Sequence, residues 1–142
     1  MTRPQIQLVK PRNLGPRDWG TETLIIETEH YIGKRLHMRA GSAGGLQYHA
    51  IKDEAFLLVE GVAIVDFARG AHLASVELRA GMMVRVPPGS PHRVRAITDC
   101  VFYEWSTPVF DDRVRCEAEY GEPAVGGLPS THEPSPDATG QP

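Results

Sequence analysis

Two cysteines in 142 residues, Cys100 and Cys116, are too few for a disulfide framework and show no zinc-finger spacing. They are expected to be ordinary thiols in a reducing compartment. Long hydrophobic runs are missing as well. No stretch approaches the roughly 20 apolar residues of a membrane span. The N-terminus carries no apolar signal core, so a cytoplasmic location is expected. Basic blocks are also lacking: the net charge is −3 and the arginines are scattered. Neither nucleic acid nor an anionic membrane is therefore an expected partner. Sustained helical periodicity is absent too, with a trace of it only in "DDRVRCEAEYG" near the C-terminus.

What the chain does have is glycine and proline, fourteen and twelve of them, set between short β-rich runs. A content of 41% hydrophobic and 23% charged residues suits one globular domain with a real core. Strand candidates follow one another from "TETLIIET" through "CVFYEWST", separated by turns at Gly61, Gly70, Gly81 and Pro87-Pro88-Gly89. About eight to ten short strands without crossover helices predict an all-β sandwich or a small antiparallel barrel. Residues 1–16 read as an N-terminal arm with one short strand at Ile6–Val9, and 17–121 as the folded domain. Residues 122–142, rich in Pro, Gly, Ser and Thr, read as a disordered tail in which His132 is solvated.

Alternation assigns faces. In "GKRLHMRAG", Lys34, Leu36 and Met38 share one side and Arg35, His37 and Arg39 the other. An inward Lys34 is expensive to bury unless it meets an anion or a metal site. Glu104 shares phase with Cys100, Phe102 and Ser106, yet Val101, Tyr103 and Trp105 could equally form the inner face. Gln47 and His49 lie two apart on one strand and point the same way. Glu54 starts the next run, and the turn at 87–91 delivers His92. Imidazole and carboxylate are good ligands for Fe, Mn, Ni or Zn, while the amide of Gln47 is weaker and neutral. Asp53 is the alternative carboxylate, with the step to Gly61 favouring Glu54. Tyr48, between two candidate ligands, is expected to pack on the opposite side, and Trp19 to be a core or lid aromatic.

The spacing resembles the cupin superfamily, whose first motif is G-x5-H-x-H-x3–4-E-x6-G and second is G-x5-P-x-G-x2-H-x3-N. Here the first runs Gly41, Gln47, His49, Glu54, Gly61, and the second Gly81, Pro87, Gly89, His92, Ala96. Gln47 stands in place of the first histidine and Ala96 in place of the asparagine. The "WG" at Trp19-Gly20, "GKRLHMRAG", "LQYH" and "EWSTPVFDDRVRCEAEYG" further resemble cupins related to type II phosphomannose isomerases. Glu119 and Glu122 stand where that subgroup has Asp and Arg.

The resemblance implies a double-stranded β-helix, or jelly-roll, barrel. Within it, Gln47, His49, Glu54 and His92 would hold one divalent transition metal (Zn, Mn, Fe or Ni). The activity implied is a metal-dependent isomerase on a sugar or sugar derivative, with Glu104 or Lys34 moving the proton. A non-haem iron oxygenase uses a similar two-histidine, one-carboxylate set, and a non-catalytic binding cupin is the third reading. A small-molecule substrate is expected, and open sheet edges predict a homodimer.

Overall fold

A computed structural model describes residues 2–132. Eleven strands make up nearly all of its regular structure: β1 (Arg12–Arg17), β2 (Gly20–Glu27), β3 (Ile32–Met38), β4 (Gln47–His49), β5 (Glu54–Glu60), β6 (Val62–Arg69), β7 (His72–Arg79), β8 (Met83–Val86), β9 (His92–Ala96), β10 (Cys100–Ser106) and β11 (Arg113–Arg115). One turn of 3-10 helix follows at Glu117–Tyr120. The strands form two antiparallel sheets, ordered β1-β2-β3-β10-β5-β8 and β11-β4-β9-β6-β7, which face each other as a jelly roll. Among the described residues no helix is long and apolar enough to cross a membrane.

The core fills one end of the space between the sheets. Met38, Phe56, Leu58 and Phe102 come from the first sheet and Ala63, Val65, Leu78 and Ala96 from the second. Phe56 and Phe102 meet edge to face at 5.7 Å between ring centres. The inward positions change character along each strand. On β3 the order is Lys34, Leu36, Met38; on β5, Glu54, Phe56, Leu58; on β9, His92, Val94, Ala96; on β10, Ser106, Glu104, Phe102, Cys100. Register aligns these gradients, with Lys34 opposite Glu104 and Leu36 opposite Phe102. One end of the barrel is therefore a dry floor and the other a polar mouth. The floor is closed by a tight turn at Gly61, whose φ of +98° and approach to the Asp99 carbonyl leave no room for a side chain.

Three expectations are corrected. Ile6–Val9 forms no strand and its apolar side chains are exposed; the first strand is Arg12–Arg17, ahead of the boundary drawn at residue 17. "DDRVRCEAEYG" is a short strand and a 3-10 turn, not a helix. The segment from 122 is held in place as far as His132. Thr131 and His132 donate backbone N–H groups to Arg113 O, while Ser130 Oγ accepts from Arg115 N. Residues 133–142, the rest of the expected tail, lie outside the described residues.

On the outer face of the second sheet, buried Asp66 ties β6, β7 and β9 together. It accepts from Ser75 Oγ (2.6 Å), Arg93 Nε (2.8 Å) and Arg95 Nε and Nη2 (2.7 and 2.9 Å). Burial alone would raise the Asp66 pKa, but the hydrogen bonds from Arg95, Ser75 and Arg93 override it and bring it down to about 2. A carboxyl lowered on folding contributes stability above its unfolded pKa, and that contribution fades as the pH falls through the folded value. Asp66→Asn is expected to lower stability at pH 7 by on the order of 1–2 kcal/mol, discounted because the network lies near solvent. Denaturant titrations should show this deficit shrinking between about pH 4 and pH 2. A deficit that does not change with pH would contradict the assignment.

Candidate metal centre

At the polar mouth the chain brings His49, Glu54 and His92 together. One ligand atom from each lies within 4.8 Å of the others, and all three residues are buried. His92 Nε2 is 3.1 Å and His49 Nε2 3.6 Å from Glu54 Oε1. Local structure explains why they meet. Gly89, in the left-handed region at φ +81°, donates its N–H to the His49 carbonyl at 2.7 Å. That bond pins the proline-rich turn against β4, so His92 opens β9 directly opposite Gln47.

The outer nitrogens of the two rings are fixed by groups of defined polarity. His92 Nδ1 meets the Ser90 carbonyl at 3.0 Å, which can only accept, so Nδ1 carries the proton. His49 Nδ1 meets Asp112 Oδ1 at 2.9 Å. Both Nε2 atoms are thereby left as lone-pair donors aimed at a carboxylate. Three electron-pair donors converging in a buried space call for a cation among them, and imidazole and carboxylate suit a divalent transition metal. Among the protein groups alone, a proton has to fill that role. For His92, burial lowers the pKa, yet the hydrogen bond and charge of Glu54 raise it overall. For Glu54, burial raises it, and His92, His49 and Lys52 together bring it down. His49 is lowered, chiefly by burial. The cluster fits a single metal ion.

Around it lies a cavity of about 310 Å³. Lys34 and Glu104 both line it, which settles the two phases left open for Glu104 in favour of the inward one. Lys34 Nζ donates to Glu22 Oε1 at 2.8 Å and lies 4.0 Å from Glu104 Oε2. Burial lowers the Lys34 pKa, but the charges of Glu104 and Glu22 raise it overall, so the ammonium keeps its proton. Burial, with Glu54 nearby, pushes Glu104 up to about 8 despite the lysines. Gln47 lines the same cavity, on the face it shares with His49. Asp53 is turned away to Arg85 at 2.8 Å, which leaves Glu54 as the inward carboxylate. Tyr48 packs with Leu46, Val114 and Cys116 on the far side of β4, and Trp19 packs on the core while lining the cavity.

The family model for the cupin domain matches residues 34–106, just over half of the chain. The chain belongs to the cupin family. No curated protein shows a significant sequence match to this cupin. Among solved structures, the capsular polysaccharide assembling protein CapF from Staphylococcus aureus superposes with a TM-score of 0.68 at 22% identity, over 76% of this chain and 33% of its own. KdgF from Halomonas sp. gives 0.59 at 19%, over 67% of this chain and 91% of its own. A point variant of the oxalate decarboxylase of Bacillus subtilis gives 0.59 at 17%, over 68% and 27%. The cupin thus spans about a third of CapF, and at these identities the likeness speaks for the fold alone.

Two site residues were missed from sequence. Asp112, fully buried, accepts from His49 and from the backbone N–H groups of Ile51 and Lys52 (2.9 and 2.6 Å), so it orients the ring and clamps the β4–β5 loop. Its only sequence signal was the paired "DD" in the segment resembling the isomerase subgroup. Lys52 lines the cavity two residues before Glu54, but it lies in the loop between β4 and β5, where strand phase gives no sign of its direction. His49→Ala and His92→Ala are each expected to abolish stoichiometric metal binding in a folded barrel. Asp112→Asn should weaken affinity by about 10–100-fold without abolishing it. Full metal content in both histidine variants, measured by elemental analysis, would remove the centre.

Proposed function

We propose that this cupin is a metal-dependent isomerase acting on a sugar or sugar derivative, with His49, Glu54, His92 and the Gln47 amide holding one divalent metal. The observation that carries the reading is Glu104, an ionisable carboxyl held inside the cavity beside the cluster rather than facing solvent. A bound metal would supply Lewis acidity toward a carbonyl and its neighbouring hydroxyl. Glu104, as its carboxylate, takes the proton from C2 and delivers it to C1, while a hydroxyl proton moves from O2 to O1. Atoms and charge balance, and the carboxyl is regenerated. Lys34 is the poorer proton carrier, because Glu22 and Glu104 keep it charged. Its ammonium fixes Glu104 in place and offsets negative charge developing on the substrate. A volume of about 310 Å³ accommodates a monosaccharide-sized ligand. The name of CapF, a capsular polysaccharide assembling protein, also supports a sugar context.

The two-histidine, one-carboxylate donor set favours a second reading, an iron-dependent oxygenase. The two differ in what they consume. Under argon in D2O, an isomerase exchanges a substrate C–H proton with solvent when aldoses and ketoses are tested, whereas an oxygenase consumes dissolved oxygen only with Fe(II). Exchange should fall by about 100-fold or more in Glu104→Gln. Because Glu104 is raised to about 8, its base form grows with pH, so kcat/KM should climb toward about pH 8 and lose that limb in the variant. Oxygen uptake without anaerobic exchange would overturn the isomerase.

A homodimer is the assembly we expect. Met83, Leu57 and Tyr103 lie in one row across the outer face of the first sheet, with Trp105 nearby and β8 at its edge. A second copy is the natural cover for such a face and edge. Sedimentation of a monomer at micromolar concentration would rule this out.

A further inference from the structure

The two inward lysines differ in a way that the metal centre does not explain. Lys34 is satisfied, bonded to Glu22 and close to Glu104. Lys52 is as deeply buried, at 4% exposure, yet among the described residues its ammonium makes no hydrogen bond. Its nearest carboxylate oxygen is Glu54 Oε2, 3.9 Å away. Glu54 is the carboxylate of the metal cluster, so it cannot serve as a dedicated partner for a lysine. Lys52 is not there by accident of a loose loop, since its own N–H and that of Ile51 are clamped to Asp112. Its head lines the cavity with three donors and no hydrogen-bond acceptor among the described residues, so those donors are free for a ligand there.

A second cation stands on the same lining. Arg113 sits opposite His49 on β11, and among the described residues its side chain has one partner, the Pro129 carbonyl at 3.0 Å from Nε. The cavity's acidic groups do not neutralise this excess. Glu22 is shared between Lys34 and Arg17, Glu54 faces the imidazoles, Glu104 is pushed toward its protonated form, and Asp111 is exposed.

We propose that the cavity takes a small molecule bearing a carboxylate, and that the Lys52 ammonium is its counter-ion. Arg113 is tied through Nε to the Pro129 carbonyl, so the one cation head beside Glu54 with no hydrogen-bond partner among the described residues is the Lys52 ammonium, which matches a singly charged group better than a phosphate dianion. The proposal rests on the cavity being the substrate site of the reading above, and narrows that substrate to a sugar acid or related hydroxy acid. Lys52 would bind the carboxylate directly, leaving the hydroxyl or carbonyl end of the ligand to face the cluster.

The test is binding, not turnover. D-glucuronate and glycolate are each titrated calorimetrically into the zinc-loaded protein against their own methyl esters, which keep the shape and remove the charge. Wild type should prefer the acids by about tenfold or more. In Lys52→Met that preference should collapse to about twofold or less, and in Lys52→Arg it should largely persist. Lys52→Gln replaces the Met variant if melting curves show the latter unfolded. No preference for either acid in wild type, or a preference undiminished in the neutral variants, would overturn the proposal. So would D-glucose 6-phosphate binding more tightly than D-glucuronate. Absence of deuterium exchange would sink the isomerase while leaving this charge preference untouched.

Discussion

Two imidazoles and a carboxylate held face to face in a buried space need positive charge among them. A cation must stand between them, and a proton on His92 is the least the protein can supply. Much of the surrounding structure serves to keep these donors from relaxing apart. Asp112 and the Ser90 carbonyl hold the far nitrogens of the rings. The bond from Gly89 to the His49 carbonyl couples the turn bearing His92 to the strand bearing His49. Glu54 is anchored by its place in β5, hydrogen-bonded on either side to β10 and β8.

The barrel can hold so many ionisable groups because they are confined to one end. Phe56, Leu58, Phe102, Met38 and Val65 pack the floor, where roughly 25 cal/mol per Å² of buried apolar surface accrues. That packing fixes the strands whose other ends carry Lys34, Glu54, His92 and Glu104. The polar mouth contributes little stability of its own, since buried ion pairs roughly offset their desolvation. It contributes position instead. Fold and site are thus two halves of the same inner faces, divided along each strand rather than between strands.

That division also explains what could be read from sequence. Period-two alternation marks which residues of β3 turn inward, so the sidedness of Lys34, Leu36 and Met38 was legible, as was the spacing that brings His49, Glu54 and His92 together. Glu104 was ambiguous because β10 is apolar on both faces: Phe102 is in the core and Val101, Tyr103 and Trp105 lie outside. Asp112 and Lys52 were missed for another reason. Asp112 acts across 63 residues of sequence on His49, and such a contact leaves no local pattern. Lys52 lies in a loop, where alternation is a poor guide, and only the Asp112 clamp turns it inward. The C-terminal segment through His132 looked structureless because it buries little; it is held by hydrogen bonds to β11, which need no hydrophobic signature.

The contrast between the two lysines ties the centre to its ligand. Lys34 has its counter-charge built in, through Glu22 on the neighbouring strand, and its role is complete before anything binds. Lys52 shares Glu54 with the imidazoles at a distance too long for a hydrogen bond. Whatever draws the Glu54 charge toward the imidazoles leaves Lys52 with less compensation, and the cavity correspondingly more attractive to an anion. Cation binding at the cluster and anion binding beside it are therefore expected to reinforce one another, because each relieves an imbalance that the other exposes.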